Sequence, residues 1–152
     1  MDPWADGNGS LDTCSVHEPR EGDGRLSALV VCYDAALRNR LEAWLESAGL
    51  TVAGCPGPGV RAVCPQIHGA ACPLATAADV VVLDLELLGS FDAAAPPGWV
   101  LLDTYLERGS TVVALAGSRE GPPVLDATPA AILPRTVDRK ALLAALHAAL
   151  AP

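Results

Sequence analysis

Aromatic side chains are scarce in this chain. Three Trp, two Tyr and one Phe make up 4% of its 152 residues, so its core must be built from Ala, Leu and Val rather than from packed rings. Basic residues are scarce as well: ten Lys and Arg stand against eighteen Asp and Glu, a formal net charge of −8. A surface that neutralises phosphates needs clustered cations, so direct nucleic-acid binding is not expected. No apolar run reaches membrane-spanning length before a charge or a proline interrupts it, so no membrane association is expected either. The opening MDPWADGNGS has no basic segment leading into an apolar one, which argues against a secretory signal. The expectation is a soluble cytoplasmic protein. In that reducing compartment its five cysteines would be thiols or metal ligands rather than disulfides.

Apolar residues are abundant, at 51% of the chain, and the length suits one domain with one core. Residues 1–24 are rich in Gly, Asp, Pro and Glu and read as a flexible tail before a folded domain spanning 25–152. Within the tail, Asp6 to Asp12 echoes a calcium loop. However, Trp4 holds the first ligand position and Ser15 the place of the bidentate Glu, so a solvated Gly-rich segment is the better reading.

The remainder alternates strands and helices. Leu26–Cys32 is a continuous apolar run, as a strand buried on both faces requires. Ala35–Ala48 is predicted helical, with Leu37, Leu41, Trp44, Leu45 and Ala48 on one stripe, Asp34 as its N-cap and Gly49 just past its end. Thr51–Cys55 is a second strand. Residues 56–78, broken by four prolines, are irregular or weakly helical. Val80–Asp84 is the clearest buried strand, Trp99–Glu107 a helix ended by Arg108-Gly109, and Thr111–Ala116 a fourth strand. Residues 117–130 can hold only a short, proline-interrupted helix. Ala131–Leu133 is a fifth strand and Asp138–Leu150 a last helix, with almost no chain after it for an output domain. Strands separated by helices predict a parallel sheet covered on both faces. In such sheets functional groups gather at the carboxyl ends of the strands. There the chain places Cys32, Tyr33 and Asp34, then Asp84, then Ala116, Gly117 and Ser118, then Arg135.

The stretches ALVVCYDAALRNRLEAWLESAGLTV, ADVVVLDLELLG, GSTVVALAGS and AILPRTVDRKALLAAL together resemble the receiver domain of bacterial two-component response regulators, over about residues 26–150. The resemblance implies a doubly wound, flavodoxin-like α/β fold with strand order 2-1-3-4-5. It also implies an acidic pair after the first strand, a phosphorylated Asp after the third, a Thr or Ser after the fourth and a Lys after the fifth. Those positions fall on Cys32 and Tyr33, Asp84, Ala116 and Arg135, and only Asp84 keeps the family's residue type. Phosphoryl transfer to a carboxylate needs Mg²⁺, which wants hard oxygen ligands. A thiol is a poor ligand for it, and a phenol brings no anion at neutral pH. Asp34 lies one position late and suits the helix cap. Ala116 cannot donate to a phosphoryl oxygen, and Ser118 lies two residues further on. Mg²⁺ is therefore not expected. Arginine in place of lysine brings a planar fork able to grip a carboxylate in two bonds, so Arg135 either pairs with unmodified Asp84 or faces solvent beside Pro134. Pro122, Pro123 and Pro129 point to a rigidified segment before the fifth strand rather than a phosphate-driven switch.

A second constellation is Cys55, Cys64, His68 and Cys72. On a helix the last three would share a face at i, i+4 and i+8, and with Cys55 they could hold tetrahedral Zn²⁺. Pro65 and Gly69 weaken that helix, and cysteines packed as small hydrophobes are the ordinary alternative. In the last helix Leu142, Leu143, Leu146 and Leu150 can face the sheet. Ala141, Ala144, Ala145 and Ala148 then lie on other faces, where they serve either helix propensity or close approach of another helix. The expected function is regulatory and non-enzymatic: a degenerate bacterial receiver acting through a protein partner or as a homodimer. The alternatives are a phosphoacceptor receiver using Asp84 in a phosphorelay, and a metal or redox sensor built on the cysteine segment.

Overall fold

The computed structural model describes residues 25–57, 72–87, 97–117 and 128–151. In chain order the elements are β1 (Ser27–Val31), α1 (Ala35–Ser47), β2 (Thr51–Cys55), α2 (Pro73–Ala77), β3 (Val80–Asp84), α3 (Pro97–Glu107), β4 (Val112–Ala116), β5 (Ala131–Pro134) and α4 (Arg139–Leu150). The five strands form one all-parallel sheet in the order β2-β1-β3-β4-β5. This is the doubly wound topology expected from the sequence.

Both faces are covered, and the period of two along each strand sorts the side chains between them. Leu29 and Val31 of β1, Val81 and Leu83 of β3, and Val112 and Ala114 of β4 join one cluster with Ala75, Leu101, Leu102 and Tyr105 from α2 and α3. Their alternates Ala28, Val30, Val80, Val82, Val113 and Leu115 join the other, with Leu37, Leu41 and Leu45 of α1 and Leu142 and Leu146 of α4. With both faces buried, the three central strands carry no polar alternation, which is why β3 reads as VVVLD.

The helix ends follow local chemistry. Asp34 is extended (φ −66°, ψ 111°) and its Oδ1 accepts from the N–H groups of Ala36 (2.9 Å) and Leu37 (3.1 Å) at the start of α1. Gly49 stands at φ +93°; its N–H donates to Glu46 O (3.0 Å), and Leu50 N–H donates to Leu45 O (3.1 Å). These two bonds close α1 in a Schellman turn that needs the left-handed residue. That turn corrects one expectation. Helix α1 stops at Ser47, and Ala48 is an exposed cap rather than part of the buried stripe, while Trp44 is half-buried. Other boundaries shift by a residue or two. Leu26 lies outside β1 and is 50% exposed, β4 starts at Val112, and α3 starts at Pro97, where a proline fits a first helical turn. Strand β5 runs on to Pro134, paired with Ala116, which its place at the sheet edge permits. Residues 1–24, most of the segment between β2 and α2, and residues 118–127 lie outside the described residues. So, therefore, do the expected tail and the proline-interrupted helix.

Candidate functional site

Strand parity carries past the carboxyl ends of β1, β3 and β5. Cys32 is in step with Ala28 and Val30, and Asp84 with Val80 and Val82, apolar residues of the α1/α4 cluster, while Arg135 is in step with Ala131 and Leu133, which pack against it. The register pairs Val31 with Leu83, which sets Cys32 opposite Asp84. The three side chains meet. Arg135 Nε donates to Asp84 Oδ1 at 2.9 Å and its Nη2 to Asp84 Oδ2 at 3.0 Å, a two-bond grip. The Cys32 thiol stands 3.4 Å from Asp84 Oδ2 and 3.4 Å from the Asp34 carbonyl, with one proton to donate between them. The backbone N–H of Glu86 donates to Asp84 Oδ1 at 3.2 Å. Three N–H donors and the thiol thus surround one carboxylate, about as many as its two oxygens accept.

Burial makes these bonds matter. Asp84 is wholly buried, whereas the Arg135 side chain is 28% exposed. An ionised carboxylate out of water needs a cation and full hydrogen bonding, and Arg135 supplies both. The guanidinium is held even more firmly in its charged form by the hydrogen bond to Asp84, against the opposing effect of burial. Burial, the Asp84 charge and the hydrogen bond to Asp84 push the Cys32 thiol up from 9.0 to about 12. It is therefore a neutral donor at neutral pH and no nucleophile.

The other residues expected at the strand ends have other roles. The carboxylate of Asp34 is spent on the start of α1. Tyr33 is 44% exposed. Ala116 contributes its backbone oxygen, which accepts from the N–H of Arg135 at 3.2 Å, and Ser118 lies outside the described residues. Sequence reasoning passed over two residues. Arg38 Nη1 donates to Cys32 O at 2.8 Å and ties α1 to the end of β1. Glu86 Oε2 stands 3.0 Å from Arg135 Nη1 as a second anion on the same guanidinium. An acid two residues past a strand with an arginine after the last strand was the available signal, and it needs the fold to be read.

The cysteine constellation is only partly within view. Cys55 and Cys72 are buried in the α2/α3 cluster. Cys72 is the extended N-cap of α2 (φ −86°, ψ 120°), and Cys64 and His68 lie outside the described residues. Among the described residues no group of three His, Cys, Asp or Glu side chains is placed to hold a metal ion. A groove of about 340 Å³ lined by Leu26, Leu50, Leu143, Leu146 and Leu150 opens at the other end of the sheet, away from Asp84. No described helix is long and apolar enough to cross a membrane.

No family profile matches the sequence, and no curated protein matches it. Solved structures do resemble it. A two-component response regulator from Clostridium difficile aligns with TM-score 0.62 at 17% identity, over 83% of this chain and 96% of that one. A response regulator receiver domain protein from Methanospirillum hungatei aligns with TM-score 0.58 at 17% identity, over 84% and 94%. A response regulator receiver protein from Sinorhizobium medicae aligns with TM-score 0.58 at 20% identity, over 85% and 97%. The chain has the receiver fold, as the sequence resemblance implied.

Proposed function

We propose that residues 25–152 form a degenerate receiver domain, following a separate N-terminal tail, that regulates by binding a protein partner or a second copy of itself. In this reading it works in the cytoplasm, catalyses no reaction of its own and does not take up a phosphoryl group by the usual Mg²⁺-dependent route. The observation that carries the proposal is the saturated carboxylate of Asp84. Both its oxygens are occupied by Arg135, Cys32 and the Glu86 amide, so neither is free to attack phosphorus or to bind an ion. The donor set is also a poor match for Mg²⁺, which takes hard oxygen ligands in octahedral geometry. Position 32 offers a neutral thiol, Asp34 is engaged by two backbone amides, and a guanidinium already neutralises Asp84. Receiver-like structures support a signalling role for the fold, and a face kept in one state suits a constant binding surface.

Incubation with acetyl phosphate and Mg²⁺, followed by intact-mass measurement, tests the proposal. The expected result is no phosphoryl adduct. A labile adduct that disappears in Asp84→Asn would establish the phosphoacceptor reading instead.

A further inference from the structure

Glu86 joins the strand-end cluster from the solvent side. Its side chain is 52% exposed, with Oε2 3.0 Å from Arg135 Nη1. It passes over Gly117, directly after β4, where an added Cβ would collide with Glu86 Oε1. Only the tip of the flexible Glu86 side chain would have to shift for a Cβ at 117, so the pair with Arg135 rests on Glu86 itself. Arg135 is itself tied to β4 through its backbone N–H. All three guanidinium nitrogens then have anionic partners: Nε and Nη2 on Asp84, Nη1 on Glu86. A planar fork held on two sides has one orientation, whereas a fork with one partner keeps the freedom of its long stem.

We propose that Glu86 forms a latch that keeps Arg135 seated on Asp84, joining the ends of β3, β4 and β5 into the single state that a partner reads. This deepens the reading of an unphosphorylated pocket and rests on it. Glu86 is a positioning residue here, because it acts on Asp84 only through Arg135. Being half exposed, it is also the half of the clamp that dissolved ions loosen, while the bonds to buried Asp84 are screened far less.

Modification by phenylglyoxal in chelator, read at each arginine by peptide mass, tests the latch without metal or phosphoryl donor. Arg135 should react more slowly than exposed Arg40 in the unaltered protein. Glu86→Gln, which keeps shape and removes charge, should speed modification of Arg135 by about two- to fivefold, the range of an exposed ion pair. Added salt should speed modification in the unaltered protein and have no such effect in Glu86→Gln, a response that a purely structural Glu86 would not produce. Amide exchange in β1 and β2 should stay unchanged, showing that the fold is intact. Unchanged Arg135 reactivity in Glu86→Gln, or a salt response that persists there, overturns the latch. Either failure leaves the unphosphorylated pocket standing, whereas an acetyl-phosphate adduct overturns that pocket whatever the arginine does.

Discussion

Arg135 and Asp84 are unequal partners, one wholly buried and the other 28% exposed, and the asymmetry decides what each substitution does. Arg135→Gln leaves a buried carboxylate without its cation. The expected loss in urea unfolding is about 3 kcal/mol, the low end for breaking a buried pair, because the arginine is partly solvated. Cys32 gives a pH prediction. Its pKa is raised from 9.0 to about 12 on folding, first by burial and then by the Asp84 charge. The folded protein therefore keeps the thiol proton after the unfolded chain has released it. The stabilisation is complete below pH 9 and is lost as pH rises towards 12. Relative to Cys32→Ala, the unaltered protein should lose about 1.4 kcal/mol in total between pH 8 and pH 10, most of it above pH 9, measured by unfolding at each pH. At this scale Asp84, Arg135 and the capping role of Asp34 were legible, because each sits at a strand or helix end with one obvious chemical need. Glu86 was not. It reads as a surface acid until the fold brings Arg135 beside it.

Helix α1 sets the geometry of the β1 end, so its cap can be separated from any metal-binding role for the same carboxylate. Asp34→Ala should lower stability by about 1 kcal/mol, the usual loss on removing an Asp cap, and Asp138→Ala, at the start of α4, by a similar amount. Chemical denaturation with and without Mg²⁺ distinguishes the roles. A capping Asp34 gives the same loss in both, whereas a ligand would give a loss only when the ion is present. The elements themselves were legible to different depths for physical reasons. β2 and β3 could be placed to the residue, since buried strands show as unbroken apolar runs between turn residues. The start of α1 followed from its Asp34 cap and the end of α3 from Gly109, while Gly49 placed the end of α1 to within one residue, both glycines being in the left-handed region. Five-residue α2 was faint, because a helix that short owes its existence to the packing of Ala75 in the core rather than to propensity. The extension of β5 to Pro134 was missed because proline argues against strand everywhere except at an edge, and edge position is a property of the assembled sheet.

At the scale of the whole molecule the strand ends are a charge balance inside an apolar sheet. Among the described residues Asp84 is the charged group that is fully buried, and one guanidinium serves both it and Glu86. The balance tolerates one buried anion and no more. Cys32→Asp would place a second carboxylate where the thiol now stands 3.4 Å from Asp84 Oδ2. Two close like charges in a site of low effective dielectric repel strongly, and Arg135 already spends its donors on Asp84 and Glu86. The variant should therefore unfold at lower temperature than the unaltered protein in chelator. A divalent cation then becomes the missing counter-charge, since two carboxylates and hard oxygen donors are what Mg²⁺ accepts. Ion bound only to the folded state stabilises by an amount that grows with the logarithm of its excess over the dissociation constant, about 1.4 kcal/mol at tenfold excess, or a rise of a few degrees in melting temperature. Thermal unfolding across a Mg²⁺ titration should show that rise in Cys32→Asp and a flat response in the unaltered chain. A rise of equal size in both would mean that Asp84 already recruits the ion despite Arg135, and that the thiol at position 32 is not what separates this fold from metal-dependent chemistry.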